Sequence, residues 1–175
     1  YEANIRYLHH LGEVTYFSPL ADTSLPDAGF VYLPGGYPEL YLAALSANRQ
    51  MLQSIRRYVE SGGKLLAECG GMMYLCDEIR DKNGYVYPMA GVLHQSATME
   101  NMKLRLGYRT LLYNETRLKG HEFHYSRLVE QQNPLPSCAV AYTAKGVETD
   151  TPLYHYKNVW AGYTHLYWAD PVGNE

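Results

Sequence analysis

Lys64-Leu65-Leu66-Ala67-Glu68-Cys69-Gly70-Gly71-Met72-Met73-Tyr74-Leu75 is the stretch on which the fold turns. A short apolar strand runs into a cysteine. Two glycines follow at once, and an apolar helix opens behind them. Small residues after the cysteine leave room for a strained turn, so the pattern reads as a nucleophile elbow. Helix N–H groups facing the sulfur favour thiolate, the reactive form. The Gly70 amide would face an oxyanion formed beside Cys69. A buried structural cysteine beside a glycine turn has the same local pattern, so the elbow needs support from elsewhere in the chain.

Upstream, residues 48–60 place Met51, Leu52, Ile55 and Val59 on one helical face, and Ser61-Gly62-Gly63 stops the helix. Before it, Phe30-Val31-Tyr32-Leu33 is a continuous apolar run, as expected of a strand covered on both faces. Pro34-Gly35-Gly36-Tyr37-Pro38 breaks that run. Residues 4–11 predict a helix with Asn4 at its cap, and residues 14–17 predict a short strand. Alternation of strand and helix argues for a parallel α/β sheet. In such a sheet the strand ends gather on one edge, so the corners at Gly35-Gly36 and Cys69-Gly70 would meet there. Beyond about residue 84 the texture changes. Residues 104–113, 120–128, 139–143 and 159–168 read as strands without intervening helices, hence antiparallel additions.

Composition narrows the function. The chain has 175 residues with a formal net charge of −3, which argues against a nucleic-acid binder built on a basic surface. No apolar run approaches the ~20 residues that span a bilayer. Three cysteines (Cys69, Cys76 and Cys138) cannot all pair, and their spacing suggests neither a disulfide framework nor a metal site. A reducing, cytoplasmic setting is the expectation. Tyrosine dominates the aromatics, with 18 against 3 Phe and 2 Trp. This suits a cleft facing a partly polar ligand, and compositional bias gives the same excess.

A thiolate nucleophile usually works with a histidine. His165, after Ala161-Gly162-Tyr163-Thr164, stands at the end of an aromatic strand and is the candidate. His121, Glu122 and His124 lie in Gly120-His121-Glu122-Phe123-His124-Tyr125-Ser126, whose spacing is not that of a zinc-binding HExxH helix.

Read together, Phe17-Ser18-Pro19-Leu20, the Tyr32–Glu39 segment, Ala67–Leu75, Leu106-Gly107-Tyr108-Arg109, Gly120–Ser126 and Tyr163-Thr164-His165-Leu166 resemble one family. It is the cobyric-acid-synthase branch of the class I glutamine amidotransferases, and in particular the C-terminal glutaminase domain of the cobyrinate and hydrogenobyrinate a,c-diamide synthases. The resemblance implies a flavodoxin-like, mostly parallel sheet flanked by helices, with antiparallel strands in the C-terminal half. It implies that Cys69 forms a glutamyl thioester, that His165 moves the proton, and that amides near Gly35, Gly36 and Gly70 hold the oxyanion. Ammonia would pass to an N-terminal synthetase domain using ATP and Mg²⁺, so this chain itself would need no cofactor and no metal. Partners are then glutamine and that domain, with no nucleic acid or membrane.

Two departures stand out. Most class I members carry His-x-Glu, and here Tyr167 follows two residues after His165. The usual Gln four residues after the nucleophile is Met73. Lys103, Arg105 or Arg109 could then grip the α-carboxylate of glutamine, and each is equally readable as a surface cation on a strand. Residues 1–175 are expected to be one glutaminase domain lacking its first strand and the synthetase domain. A bare edge of that kind leaves room for a second copy in a homo-oligomer. A sister ligase, a peptidoglycan-type amidotransferase and a binding module with a relict site are the alternatives.

Overall fold

The computed structural model describes residues 2–168. In chain order its elements are α1 (Glu2–Leu11), β1 (Phe30–Leu33), α2 (Leu42–Ala47), α3 (Arg49–Glu60), β2 (Lys64–Glu68), α4 (Gly70–Leu75), β3 (Cys76–Arg80), β4 (Val86–Pro88) and β5 (Leu93–Thr98). There follow β6 (Arg105–Tyr113), β7 (Thr116–His124), β8 (Arg127–Leu128), β9 (Val140–Thr143), β10 (Glu148–Thr149), β11 (Leu153–Tyr156), β12 (Val159–Gly162) and β13 (His165–Leu166).

The strands form three sheets, ordered β1-β2-β12-β11, β10-β9-β6-β7-β13 and β4-β3-β5-β8. The first carries the site. In it β1 and β12 both run parallel to β2, and β11 closes the end antiparallel. Most of the C-terminal half is antiparallel, as its texture predicts, and builds a separate sheet around the long β6–β7 hairpin. Strand β12 corrects that expectation by running parallel to β2 within the first sheet, where its buried Val159 and Ala161 join the main core.

Burial explains the central sheet. Val31, Leu33, Leu65, Ala67, Val159 and Ala161 point into the main core. On α3 the four residues picked out by helical spacing, Met51, Leu52, Ile55 and Val59, are all buried. Each such aliphatic side chain contributes ~1.5–3 kcal/mol by leaving water. Asn48 caps α3 by accepting from Met51 N–H at 3.4 Å. Its amide also donates to the carbonyls of Pro19 and Asp22, at 2.7 and 2.8 Å, which pins the preceding loop to the helix. All six residues of α4 are buried, so this short helix is held by packing and not by propensity.

Two local expectations fail. Residues 14–17 pair with no strand. Their sequence is β-compatible, but Ser18-Pro19 turns the chain away before a ladder can form. Asn4 is no cap: it lies within α1, buried. Its amide donates to Leu166 O at 2.7 Å, and its carbonyl accepts from Trp168 N–H at 3.1 Å. Among the described residues no helix is long and apolar enough to cross a membrane.

Candidate active site

Cys69 joins β2 to α4 with φ 52° and ψ −107°, a conformation most non-glycine residues avoid. Strain of this kind costs ~1–3 kcal/mol and persists only where neighbours impose it. Here they do. The Cys69 N–H donates to Gly162 O at 2.7 Å, and Met73 N–H donates to Cys69 O at 3.0 Å. A Cβ on Gly70 would stand 2.7 Å from Gly36 O, and one on Gly71 would stand 2.3 Å from Leu33 O. The two glycine corners therefore interlock on one sheet edge, backbone against backbone.

His165 reaches the same edge from β13. Strand β13 pairs with β7, setting His165 opposite His121 and Leu166 opposite Gly120. The His165 imidazole lies against Gly35 so closely that a Cβ there would fall 2.1 Å from its Cε1. The ring also stacks on His121, with centroids 5.0 Å apart. The His121 Nδ1 meets Tyr167 OH at 3.2 Å, so the residue in the usual glutamate position engages the second histidine.

The electrostatics of the site favour neutral partners. Burial pushes the Cys69 thiol up to about 12; the Gly70 N–H opposes this, and the carboxylates of Glu39, Glu122 and Glu68 reinforce it. The Gly70 N–H favours thiolate, as expected of a helix start, but burial outweighs it. One amide at a short helix does not outweigh desolvation and three negative charges. The amide does face the sulfur, as an oxyanion-hole donor would. Burial likewise drives His165 down to about 4, helped by His121, so its imidazole is a neutral proton acceptor at physiological pH.

Glu68, the residue before Cys69, is 1% exposed. It accepts from Tyr32 OH at 2.5 Å and from Leu166 N–H at 2.8 Å. Sequence reading quoted Glu68 and Tyr32 within motifs but gave neither a role. Only a buried carboxylate after an apolar strand hints at one.

Glu122 is the hub of a second buried network. Arg105 Nε lies 2.7 Å and Arg109 Nε 3.3 Å from its oxygens. Thr151 Oγ1 donates to it at 2.6 Å, and His124 Nε2 lies 3.1 Å away. Burial works against the charge, but the His124 and Thr151 hydrogen bonds and Arg105 outweigh it and hold the carboxyl below the usual range. Arg105 also binds Asp150. His124 stacks flat on Tyr163 at 3.6 Å, and Tyr163 OH meets Ser126 Oγ at 2.9 Å. Ser126 Oγ in turn donates to Met73 Sδ at 3.2 Å. The network thus fixes the 123–126 segment over the nucleophile, where the Cys69 thiol points at Phe123 O at 3.6 Å. Lys103 is exposed beside this segment. Among the described residues no cluster of His, Cys, Asp and Glu is arranged to hold a metal ion.

The CobB/CobQ-like glutamine amidotransferase domain description matches residues 1–172. The chain belongs to that family. It is 39% identical over 173 residues to the hydrogenobyrinate a,c-diamide synthase of Pseudomonas aeruginosa, covering 95% of this chain and 38% of that protein. Against the cobyrinate a,c-diamide synthase of Fusobacterium nucleatum the figures are 39% over 176 residues, with 95% and 38% covered. The chain thus spans about two fifths of the length of these relatives. Among solved structures it resembles a chain of PurLQS from Thermotoga maritima, with TM-score 0.61 and 18% identity, covering 94% of this chain and 80% of that one. A crystal structure of a glutamine amidotransferase aligns with TM-score 0.52 and 20% identity, over 78% and 70% of the two chains. These neighbours place the family's fold on the architecture described above.

Proposed function

We propose that this amidotransferase domain hydrolyses glutamine through a Cys69 thioester and delivers the ammonia to a synthetase domain. That domain uses ATP and Mg²⁺ to amidate the a and c carboxylates of cobyrinate or hydrogenobyrinate. The observation carrying the reading is the strained Cys69 elbow, with the Gly70 amide at the sulfur and His165 packed on the interlocked Gly35-Gly36 corner.

In this scheme the neutral imidazole of His165 takes the thiol proton as the sulfur attacks the side-chain amide carbon. The new oxyanion is held by backbone N–H groups at Gly70 and the Gly35-Gly36 corner. Imidazolium then gives its proton to the leaving nitrogen, the C–N bond breaks, and ammonia departs. Water, deprotonated by the same imidazole, attacks the thioester and releases glutamate and the free thiol. With Tyr167 in the usual glutamate position, the imidazole is oriented by packing on Gly35 and His121.

An exposed apolar face supports docking of the synthetase domain. Leu106 and Phe123 sit side by side in register and are 57% and 37% exposed. Leu104, Tyr108 and Tyr125 extend the patch, which adjoins the mouth above Cys69. Ammonia released there is shielded from water only if a partner covers it. A reducing, cytoplasmic compartment fits a nucleophile that must stay a free thiol.

Glutamine hydrolysis by Cys69→Ala and His165→Ala tests the reading. Both are expected to lose at least ~10³-fold in kcat. Full activity in either variant removes its proposed role. A glutamine-analogue electrophile should label Cys69 and no other cysteine, which a relict site would not permit.

A further inference from the structure

We infer that Glu39 is the receptor for the α-ammonium group of glutamine. The inference rests on the glutaminase reading and adds the residue that recognises the far end of the substrate.

A small pocket opens beside the nucleophile, lined by Gly36, Tyr37, Glu39, Cys69, Met73 and the 123–126 segment. One end holds the thiol. Glu39 follows the Gly35-Gly36 corner in a single helical turn, Pro38–Leu40, held by Leu40 N–H on Tyr37 O at 3.0 Å. It is half-buried, and among the described residues its carboxylate has no ion pair and no side-chain partner, only its own backbone N–H. By contrast, Glu122 is met by Arg105, Arg109, His124 and Thr151. An unpaired, partly desolvated carboxylate in a pocket calls for a cation supplied from outside.

The occupant must present an amide to the sulfur and a cation to Glu39. Glutamine does both with its two ends. Neither Lys103, Arg105 nor Arg109 lines this pocket, so no protein cation competes for Glu39 there. Among the carboxylates that disfavour the Cys69 thiolate, Glu39 acts most strongly. An ammonium group seated on Glu39 cancels that charge. Substrate binding would then ease ionisation of the thiol. This couples recognition to nucleophile activation.

The test compares L-glutamine with 4-carbamoylbutanoate, which has the same side-chain amide and no amino group. Wild-type chain should prefer glutamine in kcat/KM. In Glu39→Gln the value for glutamine should fall ~10-fold or more, mainly through KM, while 4-carbamoylbutanoate changes by less than about twofold. Glu39→Asp should recover part of the preference. Alkylation of Cys69 by iodoacetamide in Glu39→Gln should be as fast as in wild type or faster, which reports an intact site. An unchanged preference overturns the inference, as does an equal loss on both substrates. If wild type hydrolyses neither amide, the glutaminase reading itself has failed. If glutamine is hydrolysed and only the preference is insensitive to Glu39, the failure is confined to this assignment.

Discussion

Glu68 Oε2 accepts the Leu166 N–H at 2.8 Å, so the residue before the nucleophile holds the residue after the histidine. Cys69 and His165 come from different sheets. Their relative position therefore depends on this buried link, on Asn4 gripping the same segment, and on Gly35 against the imidazole.

Replacing Glu68 separates geometry from charge. Glu68→Ala leaves the Leu166 N–H unpaired in the core, at ~1–3 kcal/mol, and takes the acceptor from Tyr32 OH, which keeps only Asn4 as a partner. It should lower unfolding stability and loosen β13, reducing kcat beyond the stability loss. Glu68→Gln can accept from Leu166 and donate to Tyr32, so it should keep most of both. Urea unfolding with parallel glutaminase assays reads the difference.

The same carboxyl predicts a pH signature. Burial raises Glu68 to about 7, above its unfolded value of about 4.5. The folded state then binds the extra proton between those values. Its stabilising share is complete below about 4.5 and is lost as pH rises through about 7. Subtracting the unfolding curve of Glu68→Gln from wild type over that window should reveal this slope. Equal slopes would show that Glu68 titrates normally.

Gly35 and Gly36 are adjacent but not equivalent. A Cβ on Gly35 would drive into the His165 ring, whereas one on Gly36 meets nothing within 4 Å. Gly35→Ala is expected to fold and to lose ~10²-fold or more in kcat by displacing the imidazole. Gly36→Ala should stay close to wild type. Steady-state glutaminase rates with melting temperatures decide it.

A base lowered to about 4 remains neutral under mildly acidic conditions. Activity should therefore hold well below the ordinary imidazole value of ~6.5 and fall only as pH drops toward 4. His121→Asn removes the neighbouring titratable ring and should move this acid limb upward. The kcat/KM profile of the two proteins is the measurement.

Glu122→Ala strands buried Arg109 and the inner part of Arg105. Breaking a buried pair costs ~3–5 kcal/mol, and Arg105, 38% exposed, is partly screened by water. The loss should be largest for the 123–126 segment, visible as faster amide hydrogen exchange there than across β2.

Local chemistry made much of this legible in advance. The α3 face, the strands at Leu33 and Glu68, and the glycine corners each follow from side-chain period or from the conformational freedom of glycine. The role of Asn4 was not legible, because a polar residue near a helix start looks like a cap until its partners 162 and 164 residues away are seen. The Arg105–Glu122–Arg109 network was hidden for the same reason. On a strand, an arginine aimed at a buried carboxylate has the same spacing as one aimed at solvent. The balance at the thiol was not legible either, because a helix end is local whereas desolvation comes from everything packed around the sulfur.

The sequence by itself determined the elbow, the two strands that end in glycine corners and the candidate nucleophile, since these depend on neighbours a few residues apart. Tertiary structure alone decided that His165 rests on Gly35, that Glu68 ties the Cys69 and His165 segments together, and that Glu39 lines the same pocket as the thiol. Those relations join residues far apart in the chain. They arise only when separate sheets bury their apolar faces and the remaining buried polar groups must find partners.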